Sequence, residues 1–168
     1  MIGVRPTVAA DSDLLLEIFA ASRADFAFLP LPPDAKNQLI AQQHRAQLSH
    51  YAAAYPGAQY LVVEADGAPV GELIVWQNDS QLRIVDIALL PAHRSRGIGT
   101  VLIRRLQDQA RLADLRLQLA VWASNDAAVH FYRQLGFEQT SDDAGYLDLT
   151  WQVDRAQHEN SYQRREVG

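Results

Sequence analysis

The sequence predicts a single α/β domain, with a mixed central sheet of about seven strands flanked by about four helices. Three observations carry that expectation. The chain has 168 residues, 48% of them hydrophobic and 21% charged, which suits one core of useful size rather than two. Apolar residues recur with a period near two over short runs and with helical spacing over longer ones. The two patterns interleave in the order β-α-α-β-β-β-α-β-α-β-β, with no internal repeat, low-complexity tract or linker. The domain is expected to span 1–153. The polar, weakly patterned residues 154–168, DRAQHENSYQRREVG, read as a C-terminal tail that is ordered only if something docks it.

Each element has a local reason. IGVRPTV alternates briefly and reads as the first strand. Asp11 or Ser12 caps a helix through DSDLLLEIFAASRADFAFL, and PLPP (30–33) ends it, since proline lacks a donor and disfavours helix before it. Asp34 can cap a second helix, which stops at Pro56–Gly57. AQYLVVEADGAPVGELIVWQ holds two β-rich runs around Asp66–Gly67, a strong hairpin signal. SQLRIVDIALLP is a strand over 81–90 closed by Pro91, and a helix then runs to about Leu112. RLQLAVWA reads as a buried strand. Asn125 or Ser124 caps DAAVHFYRQLG, ended by Gly136. FEQTSDD and GYLDLTWQV are two last strands around a turn near Gly145.

The totals narrow the function. A formal net charge of -5 and a pI of about 5.4 argue against a general nucleic-acid binder. They favour cationic partners such as amines only weakly, because a charge of this size mostly serves solubility. The absence of cysteine removes disulfides, thiolate metal sites and a cysteine nucleophile. No signal peptide and no membrane-length apolar run is visible, so a cytoplasmic location without membrane contact is expected. His44 and His50 are six residues apart, off one helix face, so no metal site is expected. No Gly-x-Ser-x-Gly motif supports a hydrolase.

The stretch HRSRGIGTVLIRRLQ, 93–107, gathers arginines and glycines at the mouth of a helix. Gly97 and Gly99 let the backbone bend and approach a ligand. The helix start leaves N–H groups unpaired and carries partial positive charge. Arg94 and Arg96 add charge-assisted donors. Together they read as a pyrophosphate cradle; the plainer alternative is a turn with solvated arginines. A Walker loop would need Gly-Lys-Ser/Thr, and a dinucleotide fingerprint would need glycine at Leu102.

RSRGIG resembles the R/Q-x-x-G-x-G/A signature of the GNAT acetyltransferase superfamily. DIALLPAHRSRGIG resembles its central strand entering that signature. WASNDAAVHFYRQLGF resembles its second motif, Asn, Ala and then Tyr before Gly-Phe. The resemblance covers the chain to about Val153. It implies the GNAT fold and acyl transfer from acetyl-CoA to an amine, with acetyl-CoA as cosubstrate and no metal. Arg94, Ser95, Arg96, Gly97, Ile98, Gly99 and Thr100 would hold the pyrophosphate. Ile87, Ala88 and Leu89 would pair with pantetheine amides on a strand splayed from its neighbour, though IALL also reads as core strand. A backbone N–H near Leu89 or Leu90 would meet the oxyanion, a contribution of roughly 3–4 kcal/mol in other acyl-transfer enzymes.

Tyr132 matches the position that protonates the departing thiolate; packing beside Phe131 is its alternative. Asn125, about 20° from Tyr132 around the helix, would contact cofactor or cap the helix. Some relatives carry a glutamate where this chain has Ala120, which leaves the base to Asp86, Glu72 or a water relay. A charge buried on a strand needs a reason. For Asp86 the alternatives are base, amine anchor, pairing with Arg83 or a structural hydrogen bond. The acceptor would meet DFAFLPLPP, the segment from His44 to Tyr55, and SDDAGY. Phe26, Phe28 and Leu31 are apolar candidates there, or simply core. His93 and His130 read as surface residues. The expected function is direct acetyl transfer to a primary amine of a small, amino-acid-like molecule. The alternatives are a protein N-terminal or lysine acetyltransferase, or an inactive acyl-CoA-binding module. A homodimer is an open expectation, as are the acceptor and the role of the tail.

Overall fold

The computed structural model describes residues 1–152; the expected tail at 154–168 lies outside the described residues. The strands are β1 (Ile2–Pro6), β2 (Gln59–Ala65), β3 (Ala68–Gln77), β4 (Gln81–Leu89), β5 (Arg116–Trp122), β6 (Glu138–Asp143) and β7 (Tyr146–Trp151). The helices are α1 (Ser12–Ser22), α2 (Pro33–Ala54), α3 (Ile98–Leu112) and α4 (Asp126–Gln134). One sheet runs β1-β2-β3-β4-β5-β7-β6. Every pairing is antiparallel except β4 with β5. Those two are parallel because α3 crosses over between them.

Alternation along the strands sends side chains to two faces. Leu73, Val75, Leu82, Ile84, Leu117, Leu119 and Leu149 join Ile98, Leu102, Ile103 and Leu106 of α3 and Val129 of α4 in the main core. Gln107 is buried there, and its amide donates to Leu135 O at 2.7 Å, which ties α3 to the end of α4. On the other side α1 packs against β3, β4 and α2, burying Ile18 and Phe19.

The first helix differs from its expected length. At Arg23 the backbone leaves the helical region, and residues Ala24–Phe28 form a 3-10 segment. A continued helix would carry Phe26 about 10 Å past Phe19. The break instead folds Phe26 back to 6.0 Å from Phe19, under the Arg23 guanidinium at 4.6 Å. Phe26 is therefore core, whereas Phe28 and Leu31 are exposed.

Two expected caps are also different. Asp11 stands at the N-cap of α1, as expected, but its side chain receives the Val8 N–H at 2.8 Å and both terminal nitrogens of Arg5 at 2.8 Å, so it organises the preceding 3-10 turn and makes no cap bond to α1. Arg5 holds this carboxyl down at about 2. Pro32 occupies the N-cap of α2 and Pro33 its first turn, leaving Asp34 to add favourable charge there. Asn125 does cap α4, its Oδ1 accepting from Ala128 N at 3.2 Å. His44 is buried against Phe19, ring centroids 5.0 Å apart, and its Nε2 has no hydrogen-bond partner among the described residues.

Candidate active site

The site begins where the sheet opens. β4 pairs with β5 only over Gln81–Ile84 against Arg116–Leu119. Beyond that β4 continues to Leu89 on β3 alone, and β5 to Trp122 on β7 alone. The opening coincides with a bulge in β4. Asp86 faces Ile74 while Ile84 faces Val75, so Val85 is the extra residue, and a bulge bends its strand. A cavity of about 580 Å³ fills the gap, a size suited to a small ligand. Arg83 to Ile87 and Leu119 to Trp122 form its floor. Tyr51 and Tyr55 of α2, Asn125, Ala128 and Tyr132 of α4, and Tyr146 of β7 wall it.

The tip of β4 has a defined polarity. Leu90 donates its N–H to Val70 O at 2.9 Å. By the alternation of an antiparallel ladder, the N–H of Leu89 then faces the gap. Of the two expected oxyanion donors, Leu90 is thus committed elsewhere and Leu89 is open. Ile87 and Ala88 lie on the same stretch, opposite Leu73 and Glu72. Gly71, opposite Leu89, lets the strands approach closely: a Cβ there would stand 2.5 Å from Ala88 O.

Past Pro91–His93 the chain turns into α3. Arg94 donates from Nε to Leu89 O at 2.9 Å and from Nη2 to Ala21 O at 3.1 Å. Its guanidinium therefore staples α1 to the end of β4. Ser95 and Gly97 both have left-handed backbone, φ 57° and 79°, a geometry that turns successive N–H groups toward one concavity. Gly97 is the N-cap of α3 without a side-chain cap. The first helical bond runs from Val101 N–H to Gly97 O, 3.0 Å, so the N–H groups of Ile98, Gly99 and Thr100 have no intrahelical partner. Arg96 is exposed beside them. The residues present fit a pyrophosphate: aligned donors, a helix N-terminus and a nearby cation.

Charges on the two sides of the gap perturb one another. The Asp86 carboxylate accepts from Tyr51 Oη at 3.3 Å. Burial raises its pKa, against the opposing pull of Tyr51 and the Ile87 N–H. Burial and Asp86 push the Tyr51 phenol up as well. Glu72 is 6% exposed, and burial, then Asp86, lift it to about 7. It lies one strand from Asp86, opposite Ala88, and outside the cavity lining. Tyr132, held edge-on by Phe131 and Phe137, is pushed up to about 12 by burial and then by Asp86. Of the expected carboxylates, then, Asp86 reaches the cavity, while Glu72 lies outside its lining and feels Asp86 from the neighbouring strand. Arg83 pairs with Asp148 at 3.4 Å, not with Asp86. Ala120 lines the cavity without a charge.

Sequence reasoning missed two features. Tyr51 comes within reach of Asp86 only through the packing of α2 over the sheet. Trp122 and Tyr146 are opposite each other on β5 and β7 and stack with centroids 3.9 Å apart at the mouth; their separation in sequence hid the pair. Among the described residues no cluster of His, Cys, Asp and Glu could hold a metal ion. No helix there is long and apolar enough to cross a membrane.

In open α/β sheets ligands bind where neighbouring strands part, and this fold and site define an α/β domain of the acyltransferase kind. The chain belongs to the acetyltransferase (GNAT) family, whose pattern matches residues 21–137. It is 36% identical over 110 residues to the N-alpha-acetyltransferase RimI of Mycobacterium tuberculosis, covering 66% of this chain and 63% of that one. It is 40% identical over 81 residues to the streptothricin acetyltransferase of Streptomyces lavendulae, covering 46% and 43%. The matched segments span about half the length of several curated relatives. The PaiA N-acetyltransferase of Thermoplasma acidophilum, solved with coenzyme A, has a similar fold, with TM-score 0.67, 15% identity, and coverage of 91% of this chain and 99% of that one.

Proposed function

We propose that this protein transfers an acetyl group from acetyl-CoA to the primary amine of a small, amino-acid-like molecule by direct attack. One observation carries the reading. The gap between β4 and β5 holds a carboxylate, Asp86, and a phenol, Tyr132, and Arg94 ties the tip of the same β4 edge to the turn that carries the N–H groups of Ser95 to Thr100. The N–H groups of residues 95–100 and Arg96 would hold the pyrophosphate. The Ile87 carbonyl, on the open edge of β4, would accept from a pantetheine amide as a neighbouring strand would. Arg94 positions that edge rather than touching phosphate. Leu89 N–H would meet the developing oxyanion.

Asp86 would receive the amine and take its proton, directly or through water. Its raised pKa brings it nearer the basicity that task needs. Tyr132 stays protonated at neutral pH and would give its proton to the departing sulfur. The proton shed by the amine replaces it, so the cycle closes. Asn125 supports this arrangement by fixing the start of α4, seven residues before Tyr132. Without cysteine in the chain, no acetyl-thioester can form on the protein.

A second reading, a protein N-terminus as acceptor, draws support from the likeness to RimI, while the likeness to streptothricin acetyltransferase supports a small molecule. Thiol release from acetyl-CoA across amines, amino acids and short peptides separates them. In the same assay Tyr132→Phe is expected to lower kcat by about a hundredfold with acetyl-CoA binding retained. An unchanged kcat would remove Tyr132 as the acid. Absence of acceptor-dependent release, with binding intact, would favour an inactive acyl-CoA-binding module.

A further inference from the structure

Among the described residues that line the cavity, Arg83 is the one arginine or lysine. Arg83 lies in its floor with a side chain 18% exposed. A guanidinium carries five N–H donors in a rigid fork. Among the described residues this one makes a single hydrogen bond, from Nη2 to Asp148 Oδ1 at 3.4 Å, near the outer limit for such a bond. Asp148 has a shorter partner of its own, the Ser141 hydroxyl at 2.6 Å. The guanidinium also lies 5.7 Å from the Tyr55 ring centroid, which steadies its plane without using its donors. A partly buried fork with most donors unspent is poorly compensated until an anion reaches it.

The position of Arg83 along β4 gives that anion a place in the acceptor. Arg83 belongs to the part of β4 still paired with β5, whereas Asp86 lies beyond the bulge where the strands have parted. Asp86 faces Tyr51, so cation and anion do not quench each other. Aromatic rings of Tyr51, Tyr55, Trp122 and Tyr146 fill the wall around them.

We propose that Arg83 is a specificity-determining residue that pairs with a carboxylate of the acceptor, so that the preferred substrate is an amine that also carries a carboxylate. The inference rests on the acetyl-transfer reading, with the acceptor amine at Asp86. Two sources offer this chemistry: a free amino acid, and a peptide N-terminus followed by an acidic side chain. Arg83 leaves its long bond to Asp148 and forms the two-pronged pair that carboxylates favour.

The test compares acceptors that differ only in the carboxylate. One arm sets free L-amino acids against their carboxamides. The other sets peptide amides with Glu in second position against the same peptides with Gln. Wild-type protein is expected to favour the carboxylate member by about tenfold in kcat/KM in at least one arm, and the arm that responds names the source. Arg83→Gln should collapse the ratio toward one through KM, with Arg83→Lys intermediate. A wild-type ratio near one, or a ratio that survives Arg83→Gln, overturns the assignment while leaving acetyl transfer standing. No transfer to any amine overturns both.

Discussion

Glu72 is a carboxylate without a hydrogen bond or ion pair among the described residues, and its folded-state pKa rises from 4.5 to about 7 because it is buried. Between those values the folded protein keeps a proton that the unfolded chain releases, so stability is greatest below the lower value and falls as pH rises through the upper one. Glu72→Gln removes the titration. It is expected to gain up to about 3 kcal/mol over wild type at pH 8 and little at pH 5, read from urea midpoints at both pH values. An equal difference at the two would show that the charge of Glu72 is irrelevant to folding. At this scale the sequence exposes oddity better than partnership. A carboxylate inside RIVDIALL is conspicuous at once. That Arg83 turns to Asp148 and Tyr51 to Asp86 depends on which distant elements meet, and no local pattern encodes it.

Among the elements, β4 carries most of the site, and its tip depends on its neighbour. Gly71 is the residue that lets β3 approach Ala88 and Leu89. Gly71→Ala would bring a methyl to 2.5 Å from both the Ala88 carbonyl oxygen and a Leu89 side-chain carbon, so the tip must move. The expected cost is about 1–3 kcal/mol of stability, together with weaker acetyl-CoA binding, because the Leu89 N–H and the carbonyl held by Arg94 shift with the tip. Calorimetric titration with acetyl-CoA, beside a melting curve, checks both; unchanged affinity would mean that the tip is not part of the binding edge. The elements themselves were legible in sequence because period and punctuation agreed: Asp66–Gly67 marks a hairpin, Asn125 a cap and Pro91 a strand end. The end of α1 was not. Phe19 and Phe26 are seven residues apart, which preserves helical phase across the very place where the backbone breaks. Only the ring-on-ring contact in the folded state reveals that break.

Taken whole, the molecule is a sheet whose continuity is thinnest at its middle. β1 to β4 and β5 to β7 are joined by the short ladder from Gln81–Ile84 to Arg116–Leu119, with α3 and α4 spanning the seam in the main core. Fold class and the order of elements along the chain could be read from the alternation of periods. The opening of the seam could not, because a bulge adds one residue without changing the apolar character of IVDIALL. The seam has a consequence for backbone exchange with deuterium. Protection usually peaks in central strands and fades toward edges. Here Leu89 and its unpaired neighbours are expected to exchange early despite their central position, while the amides of β2 and β7 exchange late. Saturating acetyl-CoA should slow the central amides most, since it would supply the missing strand. If those amides are already slow in the free protein, the two halves are closed in solution. If they are fast and become slow, the cosubstrate serves the resting fold as its eighth strand, and the protein's deuterium pattern would report occupancy without any need for turnover.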